Sequence, residues 1–223
     1  MAQIRPSLAL ILVVLCVTLF GAQPAAARTS WPELWGSNEI YSPNLVSFTN
    51  WTGVMRRFDH ARELGEGLCA SAGYDPGASC AWDDWQELLS DVRSLRGLTQ
   101  LREVNDLLNK RRYILDMANW GDDDYWATVF EFLRRNGDCE DYALAKYVTL
   151  RELGWPADKL RLAIVRDTKL NLNHAILLAN VDGEVYIGDN QVEGLVRAES
   201  IRHYRPIYSI NETGWWLHRG QRR

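Results

Sequence analysis

The stretch RRNGDCEDYALAKYVTLRELGWP, residues 134–156, contains one cysteine among three carboxylates. Asp138 can cap a helix that begins at Cys139. Asp141 follows three residues after the cap, where its side chain can reach back to the cap amide. An apolar stripe follows, and Gly154 ends the pattern. The stretch therefore predicts a helix with a cysteine in its first turn.

Helical periodicity also precedes this stretch. It predicts helices over residues 50–67, 82–95 and 98–115, where apolar residues recur at helical spacing. The acidic run 122–124 favours the start of a short further helix, because carboxylates stabilise the positive end of a helix dipole. Residues 28–49, rich in Ser, Asn and Pro, predict an irregular segment.

Strand patterns follow the cysteine helix. Residues 160–167, 174–181 and 184–189 are apolar and rich in β-formers, and the last two runs are separated by Asp-Gly at 182–183. Asp-Gly between such runs is a strong hairpin signal. One more strand is expected in the tail. The order predicts an α+β domain over residues 50–223, with N-terminal helices followed by an antiparallel sheet.

The hairpin fixes which side chains meet. With a two-residue turn, Val181 lies opposite Glu184, and counting outward places His174 opposite Gln191. Asp189 is then diagonal to His174 on the same face. Diagonal neighbours are about 7–8 Å apart, which an imidazole and a carboxylate can span. The sequence therefore predicts a His-Asp pair.

Cys139, His174 and Asp189 are the residue types of a thiol nucleophile, its base and the group that orients the base. A helix N-terminus favours the thiolate and presents amide donors, so the Cys139 amide is a candidate oxyanion donor. A buried, inert cysteine is the alternative. The other histidines are assigned to surface or packing roles: His60, His203 and His218.

The amino end resembles a secretory signal peptide over residues 1–27. Arg5 precedes an apolar run over 8–20, and three alanines at 25–27 offer a cleavage site. This predicts export to the periplasm and a mature chain that is not an integral membrane protein, an uncleaved anchor being the alternative. The formal net charge is −4, and the sequence contains no basic stripe, which argues against a nucleic-acid partner.

Three cysteines follow the predicted leader. Cys69 and Cys80 flank a Gly/Ser/Pro-rich loop and could form a disulfide in an oxidising compartment. Cys139 is then left as a free thiol.

The spaced motifs resemble those of the bacterial transglutaminase-like cysteine peptidases, whose best-known members are the periplasmic adhesin-cleaving proteases of the LapG type. N-G-D-C-E-D-Y-A-L-A-K-Y-x-T-L-R-x-L-G is preceded by D-Y-W-A-T-x-x-E-F-L and followed by L-N-x-x-H and G-D-N. Because several motifs agree in order over about residues 50–218, the resemblance is specific. It implies a papain-like, transglutaminase-type core with a triad of Cys139, His174 and Asp189.

The resemblance also implies calcium dependence. Carboxylates around Cys139 should raise its pKa, and a divalent cation held by oxygen ligands would cancel their charge. With these carboxylates, the resemblance implies Ca²⁺ at Asp138, Glu140 and Asp141. The alternative is helix capping by Asp138 and Asp141 with a solvated Glu140.

The function implied is that of a cysteine endopeptidase that cleaves a large surface adhesin near its N-terminus. The expected site is a small-residue pair such as Ala-Ala, and cleavage would release the adhesin and promote biofilm dispersal. The expected partner is an inner-membrane receptor for cyclic di-GMP that sequesters the protease. Transglutaminase-like acyl transfer would use the same residues. A non-catalytic calcium-binding interaction module is the alternative outside the enzymes.

Overall fold

A computed structural model describes residues 31–70 and 80–220. The predicted signal peptide at 1–27 lies outside the described residues. Within these two ranges, no helix combines the length and the apolar character needed to cross a membrane.

The described ranges form helices around a seven-stranded sheet. The strand order is β1-β7-β6-β2-β3-β4-β5, and neighbouring strands are antiparallel. The helices are α1 Thr49–Leu64, α2 Ala81–Val92, α3 Gly97–Asn109, α4 Asp116–Asn119, α5 Val129–Arg135 and α6 Cys139–Glu152. The strands are β1 Ser37–Ser42, β2 Leu160–Asp167, β3 Leu172–Val181, β4 Glu184–Gly188, β5 Leu195–Arg197, β6 Tyr204–Asn211 and β7 Gly214–Gly220.

Helix α6 is the centre of the main core. Every residue from 140 to 150 is buried, because the helix packs against β2 and β3 on one side and against α3 and α5 on the other. A second apolar cluster includes Leu34, Val165, Ile176 and Tyr204. The N-terminal helices followed by an antiparallel sheet confirm the predicted α+β class.

The β3–β4 hairpin has the predicted register. Asp182 and Gly183 have positive φ angles of 53° and 87°, as expected for the type I′ turn that suits the right-handed twist of two strands. Val181 pairs with Glu184, and the ladder continues outward from that pair. The turn chemistry therefore sets the positions of His174 and of the residues that follow β4.

The predicted helix at the acidic run 122–124 is wrong. These residues form bends, and the helix begins instead at Val129. Thr128 Oγ1 accepts the Glu131 amide at 3.2 Å, and Glu131 Oε2 accepts the Thr128 amide at 2.7 Å. This reciprocal capping box satisfies two helix-end donors, which an acidic run alone does not.

Three other helices end earlier than predicted. Helix α2 ends at Val92 rather than at 95. Helix α1 ends at Leu64 and continues as a 3₁₀ helix over Gly65–Ala70. Helix α3 ends at Asn109 rather than at 115. The chain leaves the helix because Tyr113 forms a parallel bridge with Gly137, beside the nucleophile.

The sequence predicts an irregular segment over residues 28–49, but this part of the chain contains strand β1. This strand pairs with β7 along its whole length. The tail over residues 200–220 holds β6 and β7, where the sequence predicts a single strand, and the short strand β5 precedes it. Strand β1 therefore belongs to the same sheet as β7, and the local pattern misses it because it forms through a partner far away in the sequence.

The cysteines are distributed as the sequence suggested. Cys69 and Cys80 form a disulfide, and Cys139 is the free cysteine of the described ranges.

Candidate active site

Cys139 is the first residue of α6 and is partly buried. Asp138 is the N-cap, and its amide donates to Asp141 Oδ2 at 3.3 Å. Asp141 Oδ1 accepts the Ala127 amide at 2.6 Å. The fully buried Asp141 carboxylate therefore ties the start of α6 to the chain before α5.

Gly137 is required by this arrangement. A Cβ atom at this position would lie 2.0 Å from Asp141 Oδ2, far inside van der Waals contact. The glycine of the N-G-D-C-E-D motif is thus explained by close approach of a carboxylate to the backbone.

His174 and Asp189 form a hydrogen-bonded pair. The His174 Nε2 to Asp189 Oδ1 distance is 2.8 Å, and both side chains are fully buried. Three further donors hold Asp189: the Gln191 amide at 2.8 Å to Oδ1, the Tyr204 hydroxyl at 2.7 Å to Oδ2, and Asn109 Nδ2 at 2.6 Å to the carbonyl. Burial would raise the Asp189 pKa, but the hydrogen bond and charge of His174 with the other donors lower it. Asp189 is therefore an ionised acceptor.

This pairing orients the imidazole. Because Nε2 faces Asp189, Nδ1 is the ring nitrogen left for proton transfer, and the Gln191 side-chain amide lies 3.4 Å from it. The sequence predicts the His174–Asp189 pair. It does not predict the contacts of Tyr204 and Asn109 with Asp189, or of the Gln191 side chain with His174. The hairpin register already predicts Gln191 opposite His174. Asn109 and Tyr204 lie on α3 and β6, which the hairpin does not include.

The Cys139 sulfur contacts the backbone of β3. The backbone amide of Ala175, the residue after His174, hydrogen-bonds the sulfur and favours its thiolate. Burial and the charge of Glu140 act in the other direction and are stronger, so the thiol pKa is raised. Glu140 Oε2 is 3.3 Å from Sγ. The neighbouring acids therefore disfavour the thiolate, as the sequence predicts.

The acids divide into two groups. Asp138 and Glu140 meet Asp116, and one oxygen from each lies within 4.8 Å of the others. Asp141 is outside this group of three, since its oxygens hold backbone amides. Asp116 is missed by the sequence analysis. The Ile114 amide donates to the Gly137 carbonyl at 2.9 Å, and this hydrogen bond holds the segment of Asp116 beside Asp138. No local sequence pattern predicts this contact.

The carboxylates oppose one another's ionisation. Burial, together with Asp138, raises the pKa of Glu140 to about 10. Burial also raises the pKa of Asp141 to about 8, against the opposing Ala127 amide. Burial and the charge of Asp138 raise the pKa of Asp116 to about 6. A positive ion among these groups would relieve the repulsion.

The donor set of Asp116, Asp138 and Glu140 fits a hard cation. All ligand candidates are oxygens, the type that Ca²⁺ prefers. Asp116 Oδ1 and Asp138 Oδ1 are buried and have no hydrogen-bond partner in the described part of the chain. Buried carboxylate oxygens without donors are what a cation site requires.

Comparison with known proteins identifies the family. The model of the bacterial transglutaminase-like cysteine proteinases matches residues 78–222, which include all the site residues above. The chain belongs to this family. Membership in the bacterial transglutaminase-like cysteine proteinases confirms the assignment made from the spaced motifs. A search of curated proteins finds no match.

Solved structures agree with this bacterial transglutaminase-like cysteine proteinase fold. Calcium-bound LapG of Legionella pneumophila is 29% identical, with a TM-score of 0.59 over 72% of this chain and 87% of that chain. EGTA-treated LapG of the same organism gives the same identity and TM-score, over 72% of this chain and 84% of that one. The chain is thus similar to a LapG-type protease in both fold and sequence.

Proposed function

We propose that this protein is a periplasmic, calcium-dependent cysteine endopeptidase with Cys139 as nucleophile, His174 as base and Asp189 as the group that orients the base. The observation that carries the proposal is the buried 2.8 Å His174–Asp189 hydrogen bond, together with a cysteine at a helix N-terminus whose sulfur contacts the amide of Ala175, the residue after His174. Nucleophile, base and orienting group in this order are the requirement for thiol catalysis.

The chemistry follows from the orientation of the imidazole. His174 Nδ1 takes the Cys139 proton, and the thiolate attacks the peptide carbonyl to form a tetrahedral oxyanion. The Cys139 amide lies in the first helical turn, where it has no intrahelical acceptor, and it can donate to this oxyanion. The imidazolium then protonates the leaving amine, which leaves an acyl-thioester. Water, deprotonated by Nδ1, hydrolyses the thioester and regenerates the thiol.

Calcium dependence is supported by the carboxylate group and by its fit to a hard cation. Asp116, Asp138 and Glu140 would hold the ion, and Asp141, which the sequence also predicts as a ligand, would fix the backbone that presents them. A bound ion supplies positive charge near Cys139, which lowers the cost of the thiolate. The calcium-bound LapG structure supports the choice of ion.

The proposed substrate is a large surface adhesin, cut near its N-terminus at a small-residue pair such as Ala-Ala. Its release would promote biofilm dispersal, and an inner-membrane receptor for cyclic di-GMP would sequester the protease. These assignments are supported by the similarity to LapG, and the periplasmic location is supported by the leader-like residues 1–27.

The test incubates the purified protein with envelope proteins of its own organism, in Ca²⁺ or in EGTA. Mass spectrometry then maps new N-termini. The expected result is one large surface protein cut at a small-residue pair, with no cut in EGTA or with Cys139→Ala.

The matched control is His60→Gln, which changes an exposed histidine on α1 and should cleave like wild type. Identical termini in every sample would contradict the endopeptidase. Covalent transfer of a labelled amine without cleavage would indicate acyl transfer instead. A folded protein whose Cys139 reacts with iodoacetamide only after unfolding would indicate the non-catalytic module.

A further inference from the structure

Tyr204, on β6, contacts the acid of the proposed catalytic group. Its hydroxyl donates to Asp189 Oδ2 at 2.7 Å, and both residues are buried, with about 1% of their surface exposed. The other oxygen, Oδ1, is already shared by His174 and the Gln191 amide. Tyr204 is therefore the donor that the structure gives to Oδ2.

The direction of this hydrogen bond is fixed by the charges. Asp189 has a lowered pKa and is ionised, so it can only accept. Burial and the negative charge of Asp189 raise the pKa of Tyr204, so the phenol keeps its proton. A hydrogen bond from a neutral donor to a buried carboxylate is among the stronger kinds in proteins.

Three aromatic rings pack against the ring of Tyr204, those of Trp35, His174 and His203. The Trp35 ring packs edge-on at 6.4 Å between centroids, and its Nε1 donates to the Ile201 carbonyl at 2.8 Å. The His203 ring packs against the Tyr204 ring at 4.7 Å between centroids. The His203 carbonyl in turn accepts the Thr168 amide at 3.0 Å, which ties this segment to the end of β2. The hydroxyl is thus presented by a fixed ring.

We propose that Tyr204 is a positioning residue that fixes the Asp189 carboxylate, and through it the His174 imidazole, in the orientation needed for proton transfer. The proposal rests on the proposed function, since it assigns a role within the same Cys139–His174–Asp189 group. Without the hydroxyl, Oδ2 is left buried and unpaired, and the carboxylate gains freedom to rotate away from Nε2. The Tyr204 ring also packs against the His174 ring, with centroids 5.9 Å apart, whereas its hydroxyl acts through Asp189.

The test replaces Tyr204 with Phe, which keeps the ring packing and removes the hydroxyl. We expect kcat on the cleaved peptide to fall about 10- to 100-fold, the range for losing one hydrogen bond to a charged group, with KM within about twofold of wild type. Tyr147→Phe is the matched control, because it removes another buried hydroxyl, 3.4 Å from Glu212, and should keep wild-type kcat.

A second readout needs no substrate. The His174 Nε2 proton should give a low-field ¹H signal in wild type and in Tyr147→Phe, and should shift or broaden in Tyr204→Phe. An unchanged signal with an unchanged kcat would overturn the proposal. A kcat loss equal to that of a Tyr147→Phe protein of matched melting temperature would overturn it as well.

The two readouts separate this proposal from the proposed function. If wild type cleaves nothing, the endopeptidase fails, and the His174 signal alone decides whether Tyr204 holds the pair. If wild type cleaves and Tyr204→Phe matches it in both readouts, the endopeptidase stands and the role of Tyr204 fails.

Discussion

On the sheet side of the active site, the Asp189 carboxylate and the facing His174 nitrogen have their hydrogen bonds made within the protein, and the acid is ionised. On the helix side, buried carboxylates crowd the nucleophile. Burial raises the pKa values of Asp116 and Glu140, and Asp116 Oδ1 and Asp138 Oδ1 have no hydrogen-bond partner in the described ranges. The hydrogen bonds of the Asp189 carboxylate are all made within the fold. The helix-side carboxylates instead repel one another, and a bound cation would relieve that repulsion.

The difference separates two requirements of the proposed chemistry. The orientation of the base is built into the fold, while ionisation of the thiol depends on the carboxylate group beside it. A cation can therefore control the nucleophile without rearranging the base. Substitutions and removal of the cation can perturb the two sides separately.

The largest effect should come from the sheet side. Asp189→Asn keeps the size of the side chain but removes the charge that orients His174, so kcat should fall on the order of 10³- to 10⁴-fold. Calcium affinity, measured by calorimetric titration, should stay within about twofold of wild type. A large loss of calcium affinity would show that the two sides are not independent.

The second prediction concerns removal of the cation from the helix side of the site. The melting temperature should rise with Ca²⁺, with about 2.7 kcal/mol of added stability at 100 times the dissociation constant, and EGTA should reverse it. Asp116→Asn should lose most of this shift. Asp122→Asn, in the exposed acidic run, is the control and should keep it. An equal shift in both variants would exclude Asp116 as a ligand.

Gly137→Ala should damage the backbone of the helix side. The added methyl collides with Asp141, so the free energy of unfolding should fall by about 2–3 kcal/mol in a urea titration. Gly67→Ala is the matched control, because no atom lies within 4 Å of its Cβ position. Similar losses for both variants would contradict the close-approach explanation.

The smallest effect concerns His218, a buried histidine whose nearest carboxylate, that of Glu39, lies 3.8 Å from Nδ1. His218 contacts Ser37 at 3.0 Å and Ser209 at 2.9 Å, and burial with the nearby Arg161 charge lowers its pKa to about 4. The unfolded chain takes up this proton near pH 6.5. Stability is therefore full above pH 6.5 and falls as the pH drops towards 4.

This loss should reach about 2 kcal/mol at pH 5. It is measured as the change in the free energy of unfolding between pH 7 and pH 5. His218→Gln should reduce that change, whereas His60→Gln, on the exposed face of α1, should not. A pH dependence that His218→Gln leaves intact would assign the proton to another group.

What the sequence predicts here is mostly local. The α6 start follows from Asp138 and Asp141, and the His174–Asp189 pair follows from the parity of a two-residue turn. The capping box of Thr128 and Glu131 was also present in the sequence and would have corrected the helix predicted at the acidic run.

The remaining contacts join elements that no short turn connects. Asp116 reaches the nucleophile through the Ile114–Gly137 hydrogen bond, and Tyr204 reaches Asp189 across the sheet. Strand β1 likewise exists because β7 pairs with it. Such contacts depend on topology, which local propensity does not determine.

The pairing of β1 with β7 also bears on when the protein can fold. Ser37 pairs with Gly220, so the strand nearest the amino end of the described residues waits for the strand nearest their carboxyl end. Contacts of such long sequence separation make folding slow, because a large loop must close before they form. A chain passing a membrane pore amino end first would keep β1 unpaired until β7 emerged, and would complete its sheet only on the far side.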